Sequence, residues 1–259
     1  MTVIGQKLRK GIYDVLKSPG THFMAGNALA NAETTPWIAA VYASAFCAQA
    51  KTRSATNSGE SLTSPTLKFL AGEQGGLATN ALITFGVGIT TLALGAHPLL
   101  GGAMLAFSTA NMSQALIYGG KLKFKKPMHK NFALAACEVG MIGGFALLGA
   151  HVGLGVAALA TIAGVGVSFA AIRSFRPKAL HPDLAYADML LTAGCTMVQA
   201  VATHNYTLAA SRVMAMMGIS RLAVLRAKND GKTSIFAVEE RLPRFISRTR
   251  QALAQLVAA

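Results

Sequence analysis

The sequence predicts an all-α, polytopic transmembrane bundle built of three repeated helical hairpins, with six spans, or seven if an earlier apolar segment also crosses. Three observations predict it. The 259-residue chain is 53% hydrophobic and only 13% charged, with a mean hydropathy of +0.44, where a soluble domain carries about 25% charged residues. No Lys, Arg, Asp or Glu occurs from Gly75 to Gly120; a span needs about 20 apolar residues to cross ~30 Å of hydrocarbon, so this stretch holds two. Finally, Leu-Gly-Ala-His occurs at 94–97 and again at 148–151, each time inside a long apolar run, and Val-Ala-Thr-His at 201–204 is a weaker third copy.

Taken in order, residues 1–21 read as a basic amphipathic helix. Ile4, Leu8, Ile12, Val15 and Leu16 share one helical face, and Lys7, Arg9, Lys10 and Lys17 surround it. Such a helix lies on a membrane surface, or docks on a soluble layer. Residues 22–50 are apolar but interrupted by Asn27, Asn31, Glu33 and Pro36. The uninterrupted part, Trp37 to Ala50, is short for an ordinary span, so the segment either crosses or is re-entrant. Residues 51–75 are a polar linker rich in Ser, Thr and Gly.

Residues 76–225 form the membrane domain. Its hairpins are Gly76–Ala96 with Pro98–Gly119, Asn131–Ala150 with Val152–Ile172, and Asp183–Thr203 with Asn205–Leu225, turning at His97, His151 and His204. The nearly constant interval between turns reads as one supersecondary unit copied. Lipid leaves no partner for open backbone, so each leg must be helical, whatever its Val and Ile content. Residues 226–259 read as a second basic amphipathic segment, with Leu242, Phe245, Ile246, Leu253 and Leu256 interleaved with Arg244, Arg248 and Arg250.

The connections orient the chain. Lys121–Lys130 and Arg173–Lys178 are strongly basic, whereas the three His turns lack Lys and Arg. The positive-inside rule puts the basic connections and the C-terminus in the cytoplasm. The net charge of +14 and pI near 10.1 arise in these loops and tails. Anionic lipid headgroups are therefore the expected partner, and nucleic acid is not. A small-molecule solute and a second copy of the chain complete the expected partners.

Ionisable groups inside spans cost about +2.5–3.5 kcal/mol each on insertion scales and mark function or pairing. Glu138, Asp188 and Arg212 are such groups, and Asn80, Asn111, Gln114 and Gln199 add uncharged polarity. Asn111 and Gln114, three apart, share a helix face. The spacing allows an Arg212–Glu138 or Arg212–Asp188 pair lining a polar pathway. The alternative is that Glu138 and Asp188 sit at the cytoplasmic rim and pair with Lys130, Arg173 or Lys178.

His97, His151 and His204 read first as interfacial anchors and turn caps at the outer ends. A metal or haem reading would need the turns to converge, and no supporting carboxylate lies in them. No metal or cofactor is expected. Cys47, Cys137 and Cys195 are widely spaced in apolar surroundings and read as structural. Gly140/Gly144 and Gly149/Gly153 have small-xxx-small spacing suited to close helix packing. No catalytic constellation occurs; His181-Pro182-Asp183 reads as a helix start.

The runs "LALGAHPLLGGAMLAFSTANMSQAL", "AAIRSFRPKALHPDLAYADML" and "VATHNYTLAASRV" resemble the YgjV-type family of small bacterial inner-membrane proteins, over roughly residues 76–227. More distantly they resemble the PQ-loop transporters, which include the SWEET sugar carriers. The resemblance rests on a Leu-Gly-turn-Gly arrangement and a His-Asn-aromatic turn. It implies a multi-pass protein of the bacterial inner membrane. The Pro-Gln dipeptide of PQ-loop proteins is absent, so no mechanism carries over residue by residue. The expectation is a small-solute transporter or channel-like protein rather than an enzyme; the alternative is a membrane scaffold.

Overall fold

The computed structural model describes residues 18–57, 64–95, 97–176 and 180–237. The basic amphipathic stretch at 3–17, the C-terminal segment beyond 237 and Lys178 lie outside the described residues. Among the described residues the chain is all helix, with no strand. Its helices are α1 (Pro19–Asn31), α2 (Pro36–Asn57), α3 (Pro65–Ala71), α4 (Glu73–Ala93), α5 (Pro98–Tyr118), α6 (Pro127–His151), α7 (Val156–Phe175), α8 (Asp183–Ala202) and α9 (Tyr206–Asn229).

Proline sets many of the starts. Pro19, Pro36, Pro65, Pro98 and Pro127 each occupy the first position of a helix, where the missing N–H costs nothing and φ is already set. Pro36, which reads in the sequence as an interruption, is thus the start of α2. The segment 22–50, expected as one interrupted helix that either spans or is re-entrant, is two helices joined by a four-residue turn at 32–35. The linker expected at 51–75 also contracts, because α2 continues to Asn57 and α3 and the start of α4 fall inside it. Likewise α9 runs on to Asn229, past the expected end at Leu225.

The histidines that read as equivalent turn residues are not equivalent. The first Leu-Gly-Ala-His is the turn itself: Gly95 has φ +64°, and His97 stands outside the helix before Pro98 opens α5. The second lies within α6, whose last residue is His151. There the chain turns at Gly153 (φ +83°), with the Leu154 N–H on the Gly149 carbonyl at 2.9 Å. With the Gly153 N–H on the Ala150 carbonyl, this is a Schellman ending. In the third, His204 itself takes the left-handed position, φ +57°. One tetrapeptide ends differently because a proline follows one copy and Val152-Gly153 the other.

Each helix in the series α4, α5, α6, α8, α9 and α1 packs on the next, and α1 returns to α4. The ring is therefore closed. α7 fits in the angle between α6 and α8, and α2 in that between α1 and α4. Contacts set the directions. Asn27 meets Asn80 and Gly20 meets Gly76, so α1 runs parallel to α4. Phe23 meets Gly218 and Gly26 meets Ser211, so it runs antiparallel to α9. Tyr42 meets Thr84 and Gln49 meets Gly76, so α2 returns alongside α4. The 32–35 turn consequently lies at the same end of the ring as the turns near His97, Gly153 and His204.

α4, α6, α7 and α9 are each long and apolar enough to cross a bilayer. α2, α5 and α8 have 22, 21 and 20 residues, a length of about 30 Å at ~1.5 Å per residue. Their polar side chains include Gln49, Asn111, Gln114, Asp183 and Asp188. α1, with 13 residues, is shorter, yet Pro19 to Met24 are all buried. The exterior is apolar: Leu82, Leu191 and Val198 are 58–63% exposed and Phe175 is 76% exposed. The interior holds the polar groups, with Gln114 and Glu138 at 0%. That distribution suits lipid outside and partners inside.

Candidate functional site

Arg212 lies on α9 beside Ser211, in a turn that is apolar apart from these two, and α1 packs closely against that turn. A Cβ on Gly26 would sit 3.0 Å from the Ser211 carbonyl oxygen, and one on Gly218 would sit 2.7 Å from the Phe23 ring. Only glycine at both positions lets these helices meet so closely. Between them and α4, α5 and α6 is a cavity of ≈ 40 Å³, room for a few water molecules at most. Its polar lining is Asn27, Asn80, Thr84, Asn111 and Arg212; Phe23, Met104, Phe107, Met141 and Phe145 supply the apolar walls. Asn80 and Thr84 fall at the middle of α4, and Met104 to Asn111 at the middle of α5.

The hydrogen bonds around it are few. The Asn27 amide donates to Asn80 Oδ1 at 3.1 Å, and the Tyr42 and Thr84 hydroxyls share a bond at 2.9 Å. Ser108 donates to the Ala81 carbonyl at 2.6 Å, pinning α5 to α4. Asn111 Oδ1 and Arg212 Nε are buried without a partner. Among the described residues, the one bond Arg212 makes is a 3.5 Å contact from Nη2 to Ser211 Oγ, at the outer limit of a hydrogen bond. No carboxylate lies within ion-pair distance among the described residues. The expected pair of Arg212 with Glu138 or Asp188 is absent, because those carboxylates point into other helix contacts.

Glu138 belongs to a separate cluster nearer the opposite end of the ring. Arg173 Nη1 lies 2.9 Å and Arg226 Nε 3.4 Å from Glu138 Oε1. The same two guanidinium groups lie 3.2 and 3.6 Å from Asp230 Oδ2. Two cations and two carboxylates balance, tying α6, α7 and the end of α9 together. Glu138 thus meets one of its expected rim partners, Arg173. Arg226 and Asp230 had not been singled out, although their i,i+4 spacing is a helix-face pairing signal.

Asp188 on α8 lies against Gly166 of α7, and its buried Oδ2 makes no hydrogen bond. Gln114 donates to Met141 Sδ at 3.7 Å and stands beside the cavity rather than in it. Gln199 is half-buried on α8, away from the cavity. The His97 and His151 rings meet edge to face with centroids 5.1 Å apart, whereas His204 contacts the Tyr206 hydroxyl at 3.2 Å. Among the described residues, no three His, Cys, Asp or Glu side chains are grouped as a metal site. Asp183 opens α8 as expected, but its carboxylate holds Ser234 and the Ile235 N–H at 2.7 and 2.6 Å rather than capping its own helix.

Asn27 escaped the sequence reading as a site residue; it registered only as an interruption of an apolar run. No family model, characterised protein or solved structure matches this chain.

Proposed function

We propose that this is a multi-pass protein of the bacterial inner membrane that passes a small solute through the ring. Its hairpins would be copies of one unit, with the His-bearing ends outside and the basic connections and the C-terminus in the cytoplasm by the positive-inside rule; the inner-membrane location rests on the resemblance to the YgjV-type family. One observation carries the reading: a cavity with a polar lining lies midway along helices whose outer faces are apolar. Discontinuous or short helices meeting polar groups near the midplane are a common transporter plan, and α1 is such a short helix. The Glu138–Arg173–Arg226–Asp230 cluster supports it as a closure between helix ends that solute passage would have to open.

Purified protein in liposomes tests this by osmotic swelling, read by light scattering, across neutral sugars, amino acids and small salts. At least one class should enter faster than into empty liposomes. Equal rates for every solute, in vesicles shown to contain folded protein, would leave the scaffold as the better description.

A further inference from the structure

We propose that the Arg212 cavity is a binding site for a small monovalent anion, either a halide-sized inorganic ion or the carboxylate of a one- or two-carbon acid. The proposal deepens the solute-passing reading and names its substrate class. Arg212 is 6% exposed and makes no ion pair among the described residues. Its guanidinium stays charged under all ordinary conditions. A buried charge without a counter-charge costs several kcal/mol, so protein interiors seldom keep one unless something completes it.

The rest of the lining says what completes it. Asn80 Oδ1 is occupied by Asn27, which leaves the Asn80 amide nitrogen directed to no acceptor. Asn111, 2% exposed, has its Oδ1 buried without a partner, and the amide turned over presents its nitrogen at the same place. Arg212, Asn80 and Asn111 therefore offer N–H donors around one small space that contains no negative group. A neutral polyol would leave the cationic charge unbalanced. Cations are repelled. The volume of ≈ 40 Å³ excludes sugar acids, and a multivalent oxyanion would bring more negative charge than the single Arg212 cation balances.

The test is thermal unfolding of the detergent-purified protein, followed by Trp37 fluorescence, in sodium gluconate at constant ionic strength. Gluconate is replaced stepwise by chloride, nitrate, formate or acetate. At least one small anion should raise the melting temperature saturably, as ligand linkage requires. Arg212→Met should melt higher than wild type in gluconate, because an uncompensated charge is gone, and should lose the anion response. Asn111→Ala keeps the charge and should need about tenfold more anion, the loss of one charge-assisted hydrogen bond. It carries the test if Arg212→Met fails to fold. A wild-type protein indifferent to all four anions, or an Arg212→Met variant that responds equally, overturns the proposal. Anion binding without liposome flux would keep this site and discard the transporter; flux without any anion response would do the reverse.

Discussion

At the scale of single residues, the chain treats its buried charges in two ways. Glu138, Arg173, Arg226 and Asp230 neutralise one another at distances of 2.9–3.6 Å, whereas Arg212 meets no carboxylate among the described residues. Removing one member of a buried ion network costs about 3–5 kcal/mol, because the remaining charges lose their compensation. Glu138→Gln should therefore lower the melting temperature in detergent by several degrees. Adding Arg226→Met to it should recover part of the loss, since the excess positive charge is then removed. An unchanged melting temperature in Glu138→Gln would mean the cluster contributes nothing to stability.

At the scale of elements, glycine spacing decides which helix faces meet, but the spacing alone does not say which glycines matter. A Cβ on Gly144 would lie 2.8 Å from the Phe107 ring of α5, while Gly143, its neighbour, faces nothing within 4 Å. Gly144→Leu should destabilise by about 1–3 kcal/mol, the usual cost of overpacking, and Gly143→Leu should be silent. Equal melting temperatures for the two variants would contradict the α5–α6 packing. The same lesson applies to Gly86 and Gly155, which also face open space, and to α1. Its apolar run was legible; its packing on α9 depended on Gly26 and Gly218, on separate helices nearly two hundred residues apart.

At the scale of the whole molecule, helix directions bring four turns to one end of the ring. With the native Cys47, Cys137 and Cys195 replaced, single cysteines at Glu33, His97, Gly155 and His204 should all react with an impermeant maleimide added to intact cells. Cysteines at Lys123 and Asn229 should react only after permeabilisation. Labelling of position 33 with the second group would break the α1–α2 hairpin arrangement; labelling of all six together would break the membrane reading.

Much was written locally. An uncharged run, a proline before a helix and a glycine or histidine after one act within a few residues, so the helical class and, to within a few residues, the ends of α4 to α9 follow from the chain itself, whereas the division of 22–50 into α1 and α2 and the presence of α3 do not. Asn80, Asn111 and Arg212 stood out for the same reason, as polar groups in apolar surroundings. Tertiary structure alone decided that these three share a cavity with Asn27 and that Glu138 turns away from Arg212 to Arg173 and Arg226. Those outcomes depend on which faces pack together across long stretches of sequence, and helix packing is set by the summed fit of many side chains rather than by any one segment's preference.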